Sequence, residues 1–130
     1  MSGSSVARGL VSACHPGPTV VVTLMSAALL LGAGSGWAGA LLATAAVLTG
    51  QLSIGWSNDW LDARRDRSAA RWAKPVVSGA VTERLLRSAS FAAGAACLVL
   101  SFATGLRPGA VHVVAVAFAW AYNLRLKDSL

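Results

Sequence analysis

Residues 18–58 read PTVVVTLMSAALLLGAGSGWAGALLATAAVLTGQLSIGWSN and contain no Asp, Glu, Lys or Arg. The gap in charge is longer still: it runs from after Arg8 to before Asp59, a stretch of 50 residues. A water-soluble surface needs charge at closer intervals than this, so the stretch belongs in a membrane. At roughly 17–25 residues for each crossing helix it holds two spans. Pro16 and Pro18 suit the first turn of a helix, where a missing N–H costs nothing, and the first span is expected over about 18–31. Gly32-Ala33-Gly34-Ser35-Gly36 breaks the apolar run. Trp37 beside that break suits a membrane interface, and a second helix follows over about 37–56. Residues 1–14, Ser- and Gly-rich with the single Arg8, read as a flexible or interfacial start. Arg8 followed by an apolar stretch resembles the start of a signal peptide, but Pro16-Gly17-Pro18 sits where the apolar segment of such a peptide should be uninterrupted, so none is expected.

The rest of the chain repeats the pattern. Charge-free runs between Arg87 and Arg107 and between Arg107 and Arg125 place a third helix over about 85–104 and a fourth over about 110–124. Gly105 to Gly109 form the link between them. The expected fold is an all-α, polytopic transmembrane helix bundle. Of 130 residues 55% are hydrophobic and 12% charged, with a mean hydropathy of +0.62; soluble domains lie nearer 45–50% apolar. The net charge of +6 does not indicate a nucleic-acid partner, because the basic residues lie between apolar runs and form no stripe on a folded surface. Cys14 and Cys97 lack metal or redox spacing and read as small buried residues. Gly and Ala crowd the spans, as in Ala92-Ala93-Gly94-Ala95-Ala96, and allow close helix approach where lipid gives no hydrophobic drive.

One long polar loop remains, about 58–84. With its flank to Arg87 it holds seven basic residues (Arg64, Arg65, Arg67, Arg71, Lys74, Arg84, Arg87) and four acids (Asp59, Asp62, Asp66, Glu83). If the N-terminus, this loop and the C-terminus share one side, that side collects ten of the eleven basic residues, leaving only Arg107 opposite. The positive-inside rule makes it the cytoplasm.

The chemistry lies in Asn58-Asp59-Trp60-Leu61-Asp62-Ala63-Arg64-Arg65-Asp66. Carboxylates at i, i+3 and i+7 fall within about 60° of one another on a helix and form one acidic face. Like charges packed together at a membrane boundary call for a cation or for arginines. Carboxylate oxygens suit magnesium, which usually keeps waters and bridges to a substrate phosphate. Arg71 and Lys74, with Arg64, Arg65 and Arg67, are placed to hold phosphate oxygens and to stabilise charge on a departing diphosphate. The plainer reading is a solvated loop whose acids and bases pair with each other.

At this motif the chain resembles the UbiA superfamily of membrane prenyltransferases, whose first aspartate-rich signature is N-D-x-x-D-x-x-x-D at the end of the second helix. Asn58, Asp59, Asp62 and Asp66 match every fixed position. Gly50-Gln51-Leu52 before the motif, Lys74-Pro75 with Gly79 before helix three, and Tyr122-Asn123 with Lys127 after helix four agree as well. The resemblance implies that Asp59, Asp62 and Asp66 hold Mg2+. It also implies that Asn58, Arg71, Lys74, Tyr122 and Lys127 contact an isoprenoid diphosphate, and that an aromatic or related lipid-pathway acceptor receives the prenyl group. Where the family usually has Arg-Pro near the start of helix one, this chain has His15-Pro16; neither His15 nor His112 is expected to be catalytic, and His112 reads as a packing residue.

Family members have about nine helices and a second aspartate-rich motif. These 130 residues account for about four helices and nothing after Asp66 supplies such a motif, so the chain reads as a single partial domain over 1–130, the N-terminal part of the enzyme and inactive alone. The expected location is the cell membrane, with a separate C-terminal half or a second copy as partner beside the bilayer itself. The main alternative is a non-catalytic small membrane protein derived from such an enzyme. A CDP-alcohol phosphotransferase fits less well, because Asp62-Ala63-Arg64-Arg65-Asp66 lacks the first half of that signature.

Overall fold

The computed structural model describes residues 3–125, and over these the chain is helical. The elements are α1 (Gly3–Ala13), α2 (Pro16–Gly32), α3 (Gly36–Leu61), α4 (Ala63–Ser68), α5 (Pro75–Ser78), α6 (Glu83–Ala103) and α7 (Leu106–Leu124). The all-α bundle expected from the charge-free runs is what forms. Pro16 opens α2 as its position suggested. At the start of α6, Thr82 accepts a hydrogen bond from the Leu85 amide at 3.1 Å, and Glu83 adds negative charge to the first turn.

Two expectations are corrected. The flexible alternative for the start of the chain does not hold over the described residues, because α1 occupies Gly3–Ala13 and meets α2 at a 68° bend. The 58–84 segment is no simple loop either: α3 runs on to Leu61, past the expected end at Trp56, and α4 and α5 lie within the connection. Packing explains both. The indole of Trp56 donates to the Leu10 carbonyl at 2.9 Å, and Ala13, Ala63, Val76, Val81 and Leu86 form one buried apolar cluster. This cluster caps one end of the bundle with α1, α4 and α5.

Two helices, α3 and α6, are long and apolar enough to cross a membrane, and the bent α1–α2 pair makes a third if it is one span. The fourth expected span, α7, has 19 residues but carries Arg107, His112 and Asn123 and is not among them.

The interior is small and polar where a soluble core would be large and apolar. Ser53, Ser57, Ser90 and Ser101 are buried, while Leu24, Leu29, Leu41, Val99 and Phe118 face outward. Lipid solvates the large side chains, and close approach with hydrogen bonding holds the helices. The Ser53 hydroxyl donates to the Ser90 carbonyl at 2.9 Å and accepts from the Trp120 indole at 3.0 Å, joining α3, α6 and α7 at one point. At the other end of the bundle the Ser101 hydroxyl lies 2.8 Å from Nδ1 of His112. Cys14 and Cys97 are both buried, as their sequence context suggested.

Candidate functional site

The site begins in the last turn of α3. Asp59 is 1% exposed, and one of its oxygens, Oδ1, receives two partners. Nε2 of His15 lies 3.1 Å away, and Nζ of Lys74 donates at 2.5 Å. A carboxylate withdrawn this far from water is tolerated only with such partners.

Each partner is placed by its local backbone. Lys74 precedes Pro75, which favours an extended residue before it, and Lys74 has ψ 129°. Its backbone thereby leads into α5 while its side chain reaches back to Asp59 on α3. His15 sits at the corner between α1 and α2 in the left-handed region, with φ 56°. That corner lies hard against α3 at Gly55, where an added Cβ would come within 2.7 Å of the Cys14 carbonyl oxygen. Glycine at 55 therefore sets how closely His15 approaches Asp59.

Asn58 turns the other way. Its Nδ2 donates to Oδ1 of Asn123 on α7 at 3.2 Å, and Nδ2 of Asn123 donates to the Ile54 carbonyl and to Oγ of Ser57, both at 3.1 Å. The other two aspartates are nearby in sequence but differently housed. Asp62 occupies the one-residue break between α3 and α4, where Nη1 of Arg65 lies 3.6 Å from its Oδ1. Asp66 is buried on α4 and accepts from Nη1 of Arg71 at 3.1 Å through Oδ1, while its Oδ2 is buried with no partner.

The unbroken helical face that the i, i+3, i+7 spacing assumed is interrupted at Asp62. Among the described residues no three His, Cys, Asp or Glu side chains come together closely enough to hold one metal ion. The donor chemistry still suits a hard cation: all three are carboxylates, and Oδ2 of Asp66 is a buried acceptor waiting for a partner. The three carboxylates are paired with His15 and Lys74, with Arg65, and with Arg71 respectively.

Two cavities adjoin at His15, and Asp59 lines one of them. One of about 270 Å³ lies between α2, α3 and α7, lined by His15, Thr19, Gln51, Ile54, Asn58 and Asn123 among others. The second, about 570 Å³, lies at the capped end with His15, Asp59, Arg71, Trp72 and Lys74 in its walls. His15 belongs to both. The arrangement offers a basic chamber joined by one acid–base cluster to a chamber inside the bundle.

Of the residues named from the sequence, the structure thus brings Asp59, Arg71 and Lys74 to one cavity and turns Asn58 to the other. Tyr122 is exposed and lines neither cavity; its neighbour Asn123 does. Lys127 lies outside the described residues. His15 was given no role from the sequence, although its place before Pro16, where a basic residue is usual, was the available signal.

A profile of the UbiA prenyltransferase family matches residues 19–130. The chain belongs to this family, which makes it an integral membrane protein of a prenyltransferase lineage whose members generally use Mg2+. No curated protein and no solved structure matches it.

Proposed function

We propose that the chain carries the first magnesium–diphosphate half-site of a prenyltransferase that moves a prenyl group from an isoprenoid diphosphate to an aromatic or related lipid-pathway acceptor. The observation that carries this reading is the Asp59 cluster, a buried carboxylate shared by Lys74 and His15 at the junction of two cavities.

Asp59, Asp62 and Asp66 would hold Mg2+, which when bound supplies positive charge that favours departure of diphosphate. Lys74 and Arg71 line the basic chamber and pair with phosphate oxygens, Lys74 exchanging its contact with Asp59 for one with the substrate. Asn58, held by Asn123, keeps a polar amide at the mouth of the inner chamber. The prenyl tail runs among the helices; Tyr122, on α7, and Lys127 serve the substrate. The basic end of the bundle faces the cytoplasm, and the host is the cell membrane. A second acidic face, contributed by a further segment or a separate chain, completes the charge balance around the diphosphate.

The test is magnesium-dependent release of diphosphate from geranyl diphosphate by membranes carrying the chain together with the segment or chain that completes the site, which needs no knowledge of the acceptor. Asp59→Ala combined with Asp62→Ala is expected to reduce release to background. Unchanged release contradicts the assignment and leaves the non-catalytic reading in its place.

A further inference from the structure

On the outer face of the basic end, three aromatic rings form a ladder that the proposed reaction does not use. Trp60 and Phe91 have ring centroids 5.9 Å apart, and Phe91 and Trp120 are 5.5 Å apart. The Arg87 guanidinium lies 5.8 Å from the Trp60 ring centre. Above the ladder is a cavity of about 780 Å³ walled by Trp60, Arg84, Arg87 and Phe91. Below it an apolar trench of about 390 Å³ runs between α6 and α7, with Phe91, Leu98, Val116 and Trp120 in its walls. Phe91 borders both, so the two form one continuous groove with a basic head, an aromatic neck and an apolar tail.

We infer that this groove is a binding site for one anionic phospholipid of the adjacent leaflet. The acid at the head, Glu83, is already taken by Arg67. Among the described residues neither Arg84 nor Arg87 forms an ion pair with an acid, so two guanidinium groups face the cavity uncompensated. Guanidinium forks suit phosphate oxygens, and aromatic rings suit the headgroup level. Phe91, Leu98 and Arg87 are open to the outside of the bundle, so an acyl chain enters sideways from the bilayer. The occupant is a singly charged phosphodiester because the groove has no free carboxylate to hold the cation that a diphosphate would bring.

The experiment is native mass spectrometry of the whole chain released from vesicles of phosphatidylcholine and phosphatidylglycerol in equal amounts. The wild type is expected to retain phosphatidylglycerol preferentially. Arg84→Gln with Arg87→Gln should lower that retention, by about fivefold for each arginine, and leave magnesium-dependent geranyl diphosphate binding unchanged. Arg107→Gln, at the opposite end of the bundle, should change neither. Equal retention of the two lipids by the wild type overturns the proposal. So does an equal loss in Arg107→Gln, which would reveal a general charge effect. Displacement of phosphatidylglycerol by geranyl diphosphate without magnesium also overturns it, by making the groove a substrate site. Failure of magnesium-dependent binding in the wild type would instead sink the half-site while leaving the lipid result intact.

Discussion

The bundle holds a histidine against a polar partner at each end, and the two pairs differ in what they need. At one end His112 and the hydroxyl of Ser101 satisfy each other at 2.8 Å, as neutral groups linking α6 to α7. At the other end His15 meets a buried carboxylate, and one donor is not enough: Lys74 is drawn in from a different element to share Oδ1 of Asp59. A hydroxyl–imidazole pair inside a membrane protein is helix glue. A buried carboxylate is costly unless neutralised, and the chain spends three elements, α1, α5 and the end of α3, on surrounding it. The difference separates a structural polar contact from the one on which the proposed function rests.

The sharpest way to break this comparison is to remove Lys74. Lys74→Ala leaves Asp59 buried with His15 alone and should destabilise the protein by about 3 kcal/mol, the lower end of the range for breaking a buried pair, because one partner remains. Detergent thermal stability reads the loss, and Lys74→Arg should recover part of it. If Lys74→Ala unfolds no more easily than the wild type, the end containing Asp59 is not the costly one.

Gly55→Ala comes next. Its Cβ would press on the Cys14 carbonyl at 2.7 Å, and overpacking of this kind costs roughly 1–3 kcal/mol. The α1–α2 corner should move, taking His15 from Asp59, so geranyl diphosphate binding should weaken along with stability. Loss of stability with unchanged binding would show that His15 does not position the site.

Asn123→Ala removes three hydrogen bonds between α7 and α3 and should cost about 1–2 kcal/mol, seen as a lower unfolding temperature. The smallest effect belongs to the other end. Ser101→Ala should cost about 0.6 kcal/mol, the usual value for such a bond in a membrane bundle, and leave ligand binding alone. A binding defect in Ser101→Ala would mean that the two ends are coupled.

Much of the helical framework was legible because absence of charge is a direct statement about solvent. The runs flanking Trp37, Arg107 and Arg125 marked the helices of the bundle with few residues of error at most ends. What could not be read locally was helix formed by packing. Residues 3–13 are rich in Gly and Ser, which are weak helix formers, and α1 is held by contacts of Leu10 with Trp56 and of Gly9 with Val81. The site divides in the same way. Asn58, Asp59, Arg71 and Lys74 lie close enough in sequence for spacing and resemblance to group them. His15 is 44 residues from Asp59 and Asn123 is 65 from Asn58, so only the fold shows that they meet. Tyr122 was chosen over Asn123 by motif alone, and the helical turn of α7 buries the neighbour instead.

The central proposal is that the Asp59 cluster takes up a diphosphate together with Mg2+. The direct measurement is titration of the detergent-solubilised chain with geranyl diphosphate, with and without Mg2+, beside the Asp59→Asn form. The account predicts binding that requires Mg2+ and weakens at least tenfold in Asp59→Asn; equal binding by both forms, or binding indifferent to Mg2+, would contradict it.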